Sequence, residues 1–267
     1  MGDSRPIGIF DSGVGGLTVV RSLIEKLPLE NFIYFGDTAH VPYGNKSEQE
    51  LMYYAREIIS FLLKQEVKAI IVACGTHSSI TLPRLMYNYS IPIIGVVDAA
   101  AICAAGTTSN GKIGVAATQA TVKSQAYTNV LLKLNPDYKV YEVACPDFVP
   151  LVESGKLEGG ETLQAVADYL GYLLDFGIDT LVLGCTHYPF LLGIIEKYVG
   201  EEVNVIDPSC KTVEQVKDIL LYKGLLNSYN PTPLRKFYVS GRDDSFFNVG
   251  RLLIGNTIKE VIKVKLD

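Results

Sequence analysis

Two cysteines stand in matching sequence surroundings, and they are the residues best suited to chemistry. The segments AIIVACGTH (69–77) and LVLGCTH (181–187) each read as a buried strand that ends in a cysteine followed by small, hydrogen-bonding residues. Ligands and reacting groups collect at the carboxyl ends of strands in open α/β sheets. Cys74 and Cys185 are therefore predicted to face one substrate from opposite sides. Such a pair suits removal of a proton from one face of a carbon and its return to the other face.

A thiol needs help to act as a base, because with a pKa near 8.5 only a few per cent of it is thiolate at pH 7. His187, two residues after Cys185, is a candidate partner for proton exchange, and Asp11 is a candidate partner for Cys74. The Gly-rich turn at residues 11–16 lies between a predicted strand and a predicted helix. Its free N–H groups favour an anion site. A turn without ligand is an equally good interpretation, since the dinucleotide and P-loop patterns are not met.

Other cysteines and histidines have simpler interpretations. Buried cysteine usually behaves as a small hydrophobe, and this is the prediction for Cys103, Cys145 and Cys210. Loop packing is the prediction for His40 and His77. A structural zinc site favours cysteine pairs two to four residues apart, which the chain lacks, so no metal is expected.

Composition indicates an ordered globular protein. The 267 residues are 48% hydrophobic and 20% charged, with 24 basic and 29 acidic residues. No basic cluster suggests a nucleic-acid partner, and Pro92, Gly95 and Asp98 interrupt the most apolar region, so no membrane span is expected. The first residues lack an apolar signal core, and five cysteines without a CxxC pair indicate reduced thiols in the cytoplasm.

Apolar runs alternate with helix-like segments almost throughout, which predicts a parallel α/β sheet. Ser47 and Glu50 form a capping box at the start of a helix with one apolar face. The predicted strands are residues 7–10, 31–36, 69–73, 93–97, 112–118 and 237–240. The predicted helices include residues 17–27, 213–222 and 245–253.

The pattern repeats. The segment PIGIFDS (6–12) resembles KIGVAAT (112–118); Gly8 and Gly114 are 106 residues apart, and Cys74 and Cys185 are 111 apart. The repeat predicts two similar α/β domains with mainly parallel sheets, related by a pseudo-twofold axis, with the active site in the cleft between them. Residues 1–97 plus 209–267 form the first predicted domain, because the tail is expected to pack back on it. Residues 98–208 form the second.

Several segments together resemble glutamate racemases, of the aspartate/glutamate racemase superfamily, in order and spacing from residue 6 to about residue 245. They are GIFDSGVGGLTV (8–19), YFGDT (34–38), PYG (42–44), ACP (144–146), PLVE (150–153) and LGCTHYP (183–189). The resemblance implies a cofactor-independent enzyme, without pyridoxal phosphate, that interconverts L- and D-glutamate. It further implies supply of D-glutamate for peptidoglycan, and a homodimer.

The resemblance also implies roles for individual residues. Cys74 and Cys185 are the thiol pair, with Asp11, Glu153 and His187 as assisting acid/base groups. The positions that match substrate-binding residues are Asp11, Ser12, Tyr43, Gly44, Thr76, Thr118, Thr121, Thr186 and His187. Family members often carry Cys-Asn-Thr where this chain has Cys74-Gly75-Thr76, so an amide is missing and the N–H of Gly75 is expected to donate instead.

Three alternatives stay open on the sequence. A racemase for aspartate or another acidic amino acid would share the cysteine pair. A non-catalytic small-molecule binding protein would keep the two-lobed fold, and Gly75 favours it. A cysteine hydrolase would use Cys185 and His187, but it leaves the second strand-end cysteine unexplained.

Overall fold

The computed structural model of the protein describes residues 2–266, in which strands and helices alternate as the sequence predicts. The strands are β1 Ile7–Asp11, β2 Phe32–Gly36, β3 Ala69–Val72, β4 Ile93–Gly95, β5 Lys112–Ala117, β6 Lys139–Ala144, β7 Thr180–Leu183, β8 Asn204–Ile206, β9 Arg235–Val239 and β10 Ile262–Lys263. The helices are α1 Leu17–Lys26, α2 Glu48–Lys64, α3 Gly75–Ile80, α4 Leu82–Leu85, α5 Val96–Thr107, α6 Gln119–Ser124, α7 Ala126–Leu134, α8 Phe148–Glu153, α9 Gly160–Leu174, α10 Leu192–Val199, α11 Pro208–Tyr222 and α12 Asp243–Ile254.

The strands form two sheets. The first has the order β10-β9-β2-β1-β3-β4, and the second has the order β6-β5-β7-β8. Every strand pair within residues 2–266 is parallel. Parallel strands joined by helices are buried on both faces, which explains their continuous apolar sequences. The predicted α/β class with two mainly parallel sheets is confirmed.

The two sheets share one topology. The order β2-β1-β3-β4 in the first sheet corresponds to β6-β5-β7-β8 in the second. Gly8 pairs with Ile70, and Gly114 pairs with Leu181. Cys74 comes four residues after Ile70, and Cys185 comes four residues after Leu181. The cysteines are thus equivalent in register, each just beyond the carboxyl end of its strand.

The fourth strand is shorter than its apolar sequence predicts. The sequence predicts an extended strand over residues 93–97, but β4 ends at Gly95 and Val96 begins α5. The hydroxyl of Ser78, on α3, accepts a hydrogen bond from the Val96 N–H at 3.1 Å and donates to the Val72 carbonyl at 2.9 Å. The Ser78 side chain therefore takes up the Val72 carbonyl and the Val96 N–H, the backbone groups through which pairing of β3 with β4 would continue. The predicted capping box of α2 is confirmed, with both of its hydrogen bonds present.

The tail of the chain extends the first sheet, because β9 pairs with β2 and β10 pairs with β9. A buried ion pair adds to this attachment: Lys68 Nζ lies 2.6 Å from Glu30 Oε2, with both side chains almost fully enclosed. Lys68 also donates to the carbonyl of Leu225, and Glu30 accepts from the N–H of Asn227. The residue limits of the two domains, 97/98 and 208/209, stay a prediction.

No helix within residues 2–266 combines the length and the apolar composition that crossing a membrane would require.

Candidate active site

A cavity of about 170 Å³ lies where the carboxyl ends of the strands of both sheets meet. We call it the inner cavity. Its lining includes most of the residues that the sequence singles out: Asp11, Ser12, Tyr43, Gly44, Cys74, Thr76, Thr118, Cys185, Thr186 and His187. The predicted cleft between two similar lobes is therefore present. Glu153, Gly75 and Thr121 do not line the inner cavity.

Both cysteines reach the inner cavity from enclosed positions, with 4% of Cys74 and 6% of Cys185 exposed. Burial raises the pKa of the Cys74 thiol well above its usual range, and the negative charge of Asp11 raises it further. The backbone N–H groups of His77 and Thr76, in the first turn of α3, act in the opposite direction. Cys74 is therefore a thiol at rest, with donors in place for a thiolate when one forms.

Cys185 belongs to a chain of acid/base groups. Its Sγ lies 3.7 Å from His187 Nδ1, and His187 Nε2 lies 2.8 Å from Glu153 Oε1. Burial lowers the pKa of His187, but the contacts with Cys185 and Glu153 outweigh it and raise that pKa well above its usual range. Burial likewise raises the pKa of Glu153, yet the bond to His187 brings it below its usual range. The contacts of the pair thus favour an imidazolium at His187 and a carboxylate at Glu153.

The Gly-rich turn before α1 makes room for this pair. A Cβ atom on Gly13 would lie 2.4 Å from Glu153 Oε1, and one on Gly15 would lie 2.3 Å from His187 Nδ1. The N–H of Val14 donates to Glu153 Oε1 at 3.3 Å. The absence of side chains therefore lets the turn of the first lobe contact the imidazole and carboxylate of the second.

Of the two interpretations of this turn, the hydrogen bonds of Gly13 and Gly16 favour the turn without a ligand. Gly13 N and Gly16 N donate to Asp11 Oδ2 at 3.1 and 3.0 Å. Asp11 Oδ1 accepts from Thr186 Oγ1 at 3.1 Å. A short acidic side chain at the end of β1 binds the turn more readily than a diffusing ligand can. Asp11 thereby also joins the two lobes at the floor of the inner cavity.

Hydroxyl groups connect the lobes on the other side of the inner cavity. Thr76 Oγ1 and Thr118 Oγ1 are 3.0 Å apart, and Thr118 Oγ1 is 3.0 Å from Thr121 Oγ1. Thr118 is the N-cap of α6 and accepts from the N–H of Thr121. Thr121 is fully buried behind Thr118, and the contact between the two hydroxyl groups orients the Thr118 side chain. Thr76 and Thr118 are thus fixed hydrogen-bonding groups for a ligand.

Tyr43 is positioned by a buried carboxylate that the sequence analysis did not single out. Its hydroxyl donates to Asp37 Oδ2 at 2.5 Å, and Asp37 also contacts His40 Nδ1 at 2.9 Å and Ser240 Oγ at 2.5 Å. Burial, reinforced by Asp37, raises the pKa of Tyr43 well above its usual range, so its hydroxyl stays protonated. His40 stacks on Tyr54, in agreement with the predicted packing role.

Comparison with known proteins agrees with this geometry. A family model described as Asp/Glu/Hydantoin racemase matches residues 17–216. The chain belongs to this family. A curated glutamate racemase from Thermoanaerobacter pseudethanolicus is 43% identical over 265 residues, which are 99% of this chain and 99% of the relative. The predicted family and enzyme class are confirmed at this level.

Solved structures of racemases from the family match the whole fold. The structure of a glutamate racemase isoform from Bacillus anthracis has a TM-score of 0.93 at 37% identity, and covers 98% of this chain and 97% of its own. The structure of glutamate racemase from Francisella tularensis in complex with D-glutamate has a TM-score of 0.92 at 39% identity, and covers 99% of both chains. The roles of single residues in this chain stay predictions.

In this member of the racemase family, Gly75 contacts the opposite lobe. A Cβ atom on Gly75 would lie 2.3 Å from the carbonyl oxygen of Gly184, the residue before Cys185. Any larger residue here would require the two cysteine-bearing segments to move apart. Glycine at this position therefore permits a close approach of backbone to backbone across the cleft.

Sequence reasoning missed several residues that line the inner cavity. They are Pro42, Asn45, Gln119, Cys145, Pro146, Val149 and Pro150. Four of them, Pro42, Cys145, Pro146 and Pro150, belong to segments that carry the family resemblance, and the other three directly adjoin a segment quoted above, which is the signal that could have found them. Cys145 is fully buried, and burial raises its pKa, so it lies in the wall as a neutral thiol. No Lys or Arg lines the inner cavity within the described part of the chain. A carboxylate ligand would therefore rely on hydroxyl, amide and backbone donors.

Among residues 2–266, no group of three or more His, Cys, Asp or Glu side chains is placed to hold a metal ion. The expected absence of metal stays a prediction.

His77 is enclosed beneath the site, as its predicted packing role implies. Its ring makes edge contacts with Phe10 and Tyr43, and Nδ1 lies 3.1 Å from Thr81 Oγ1. Nε2 has no hydrogen-bond partner among the described residues. Burial lowers the pKa of His77 to about 3. The imidazole is therefore neutral in the folded protein throughout the physiological range.

This burial predicts a loss of stability in acid. Below pH 6.5 His77 becomes protonated in the unfolded chain, whereas in the folded protein it stays neutral down to about pH 3. The free energy of unfolding therefore falls as the pH falls from 6.5 towards 3. From pH 7 to pH 4 the His77 contribution is about 3 kcal/mol, at ~1.4 kcal/mol per pH unit. In urea unfolding, the free energy of unfolding of His77→Asn should change between pH 7 and pH 4 by about 3 kcal/mol less than that of the wild type. An unchanged difference between pH 7 and pH 4 would show that His77 does not titrate in this way.

Proposed function

We propose that this protein interconverts L- and D-glutamate by transferring the α-proton between the substrate and two thiols, Cys74 and Cys185. The observation that carries the proposal is the equivalent register of the two cysteines. Each follows the carboxyl end of a corresponding strand in one of two similar sheets, and both line one small cavity. A cavity of about 170 Å³ suits an amino acid, whereas drug-sized ligands occupy pockets of ~300–1,000 Å³.

In each direction one sulfur, as thiolate, removes the α-proton and the opposite thiol donates a proton to the other face of the carbon. His187, with Glu153 behind it, takes up or returns the proton of Cys185. Asp11 lies beside Cys74 and is the assisting group on that side. The negative charge that develops on the substrate carboxylate is stabilised by fixed donors in an enclosed site, where such interactions are strongest. Thr76, Thr118 and Thr186 present hydroxyl groups there.

Thr186 and Thr76 come from opposite lobes, and both are tied to the other lobe by hydrogen bonds. A ligand between them is therefore held by donors on two sides. Holding the α-carbon between two sulfurs makes both proton transfers intramolecular, which is the main advantage of a closed, oriented site. The reaction as proposed requires no cofactor. Ser12, Tyr43 and Gly44 are the further residues proposed to contact the substrate.

The family resemblance of the sequence also leads to a proposal about the cellular setting. We infer that the protein works in the cytoplasm as a homodimer and supplies D-glutamate for peptidoglycan. The five cysteines, all unpaired in the structure, agree with a reducing compartment.

The test is turnover by the purified protein with L-glutamate and L-aspartate in parallel. We expect circular dichroism and chiral chromatography to show conversion of L- to D-glutamate without added cofactor, and equally with a metal chelator. In D₂O the product should carry deuterium at the α-carbon. Turnover of aspartate with glutamate inert would assign a different substrate. Binding of glutamate without α-hydrogen exchange would assign a binding protein.

A further inference from the structure

A second cavity lies behind the His187–Glu153 pair. We call it the outer cavity; it has a volume of about 390 Å³ and is lined by Thr38, Ala39, Val41, Glu153, Arg242, Ser245 and Phe246. His187 lines the inner cavity but not the outer one, and Glu153 lines the outer cavity but not the inner one. The 2.8 Å bond between them therefore joins the two spaces.

The outer cavity is open to water. Ala39, Arg242 and Ser245 are exposed at the protein surface. Glu153 has 25% of its side chain exposed, whereas His187 has only 2%. Cys185, on the far side of His187, is 6% exposed. The acid/base groups Cys185, His187 and Glu153 thus lead from an enclosed sulfur to a solvent-exposed carboxylate.

The proposed reaction creates a need for such a path. When one thiolate takes the α-proton and the other thiol gives one up, the product leaves an enzyme with the two sulfurs in exchanged protonation states. A second turnover in the same direction requires that the sulfur which gained a proton lose it and the other regain one. The racemisation chemistry by itself does not restore the first form of the free enzyme.

We propose that the outer cavity is where the Cys185 side of the free enzyme exchanges its proton with solvent, through His187 and Glu153. The proposal rests on the two-thiol function above. The transfer begins from the neutral imidazole with its proton on Nε2. The thiol of Cys185 gives its proton to His187 Nδ1, which forms the imidazolium, and His187 Nε2 then gives its proton to Glu153 Oε1. Glu153 passes that proton to water in the outer cavity. One proton enters and one leaves each group, and no electrons are transferred.

The test blocks the outer cavity without touching the acid/base groups. Ser245→Trp places a large side chain at its exposed lining. The matched control is Asn248→Trp, because Asn248 is an exposed residue of the same helix, α12, that does not line the outer cavity. Both variants keep Cys74, Cys185, His187 and Glu153.

Two rates separate proton exchange in the free enzyme from the chemistry on the substrate. Net conversion of saturating L-glutamate requires the proton reset in every cycle. Exchange of labelled L-glutamate into the D pool at chemical equilibrium does not, because the reverse reaction of unlabelled D-glutamate regenerates the first enzyme form. We expect Ser245→Trp to lower net turnover at least about threefold while leaving equilibrium exchange unchanged. Asn248→Trp should leave both rates unchanged.

Each other outcome has a defined meaning. If both rates of Ser245→Trp match those of the wild type, the outer cavity is not the route. If both rates fall in parallel, the loss lies in the racemisation chemistry and the proposal is wrong. If the wild-type protein exchanges no label between the glutamate pools, the proposed function itself fails, and that result is independent of the variants.

Discussion

Cys74→Ser and Cys185→Ser are each expected to lower kcat for glutamate racemisation by at least about a thousandfold, or ~4 kcal/mol of transition-state free energy. A serine hydroxyl is a far weaker acid than a thiol, so the variant can neither form the base nor donate from that side. Because the other sulfur remains, each variant should still exchange the α-hydrogen of one enantiomer with solvent. Proton NMR in D₂O with L- and D-glutamate separately measures both effects.

Cys145→Ser is the matched control, because Cys145 lines the same inner cavity and is buried as a neutral thiol. Its racemase activity should stay within about threefold of the wild type. Near-complete racemisation by either Cys74→Ser or Cys185→Ser would contradict the two-thiol mechanism. Exchange of both enantiomers by one single variant would contradict the placement of the two sulfurs on opposite faces.

His187→Asn is expected to lower kcat/KM by about 10²- to 10⁴-fold, the usual contribution of a positioned acid/base group. The imidazole is 3.7 Å from Cys185 Sγ and is kept protonated by Glu153, so its loss removes the stabilisation of a thiolate at Cys185. Asparagine retains a similar size and can still hydrogen bond. The value of kcat/KM must fall equally for both enantiomers, because L- and D-glutamate have equal free energies.

The isotope effect of α-deuterated substrate distinguishes this role from a structural one. Proton removal by Cys185 should become more rate-limiting in His187→Asn, so the isotope effect should rise for the enantiomer that reacts with Cys185 and fall for the other. Glu153→Gln should change the isotope effects in the same directions but less. His40→Asn is the control, since His40 does not line the inner cavity. Equal changes for both enantiomers would contradict a specific partnership of His187 with Cys185.

Much of the fold follows from local sequence, because apolar runs of four to six residues between helices have few other stable arrangements. The capping box of Ser47 and Glu50 gave the start of α2 correctly. The end of β4 could not be foreseen, because Val96 and Val97 are as suited to a strand as the residues before them. The hydrogen bond from Val96 N–H to Ser78 Oγ ends the strand, and Ser78 is distant in sequence.

The site shows the same division. Cys74 and Thr76 could be placed at the carboxyl edge of one sheet, and Cys185 and Thr186 at the corresponding edge of the other, because the strand ends of a parallel sheet lie together. The partners of the turn at residues 11–16 could not, since its glycines are compatible with an anion site as well as with close packing. Contact of Gly13 and Gly15 with Glu153 and His187 decides between them.

The amino-acid sequence by itself determined which residue types could do chemistry and that two such groups follow equivalent strands, because apolar runs, side-chain periodicity and repeated segments are local properties of the chain. The tertiary structure alone decided which of those groups touch. It placed Asp11 on the N–H groups of its own turn and against Thr186, and it set His187 between Cys185 and Glu153. The reason is physical: a change of a few tenths of an ångström in the separation of two groups decides whether they form a hydrogen bond, and those separations depend on how the two lobes pack.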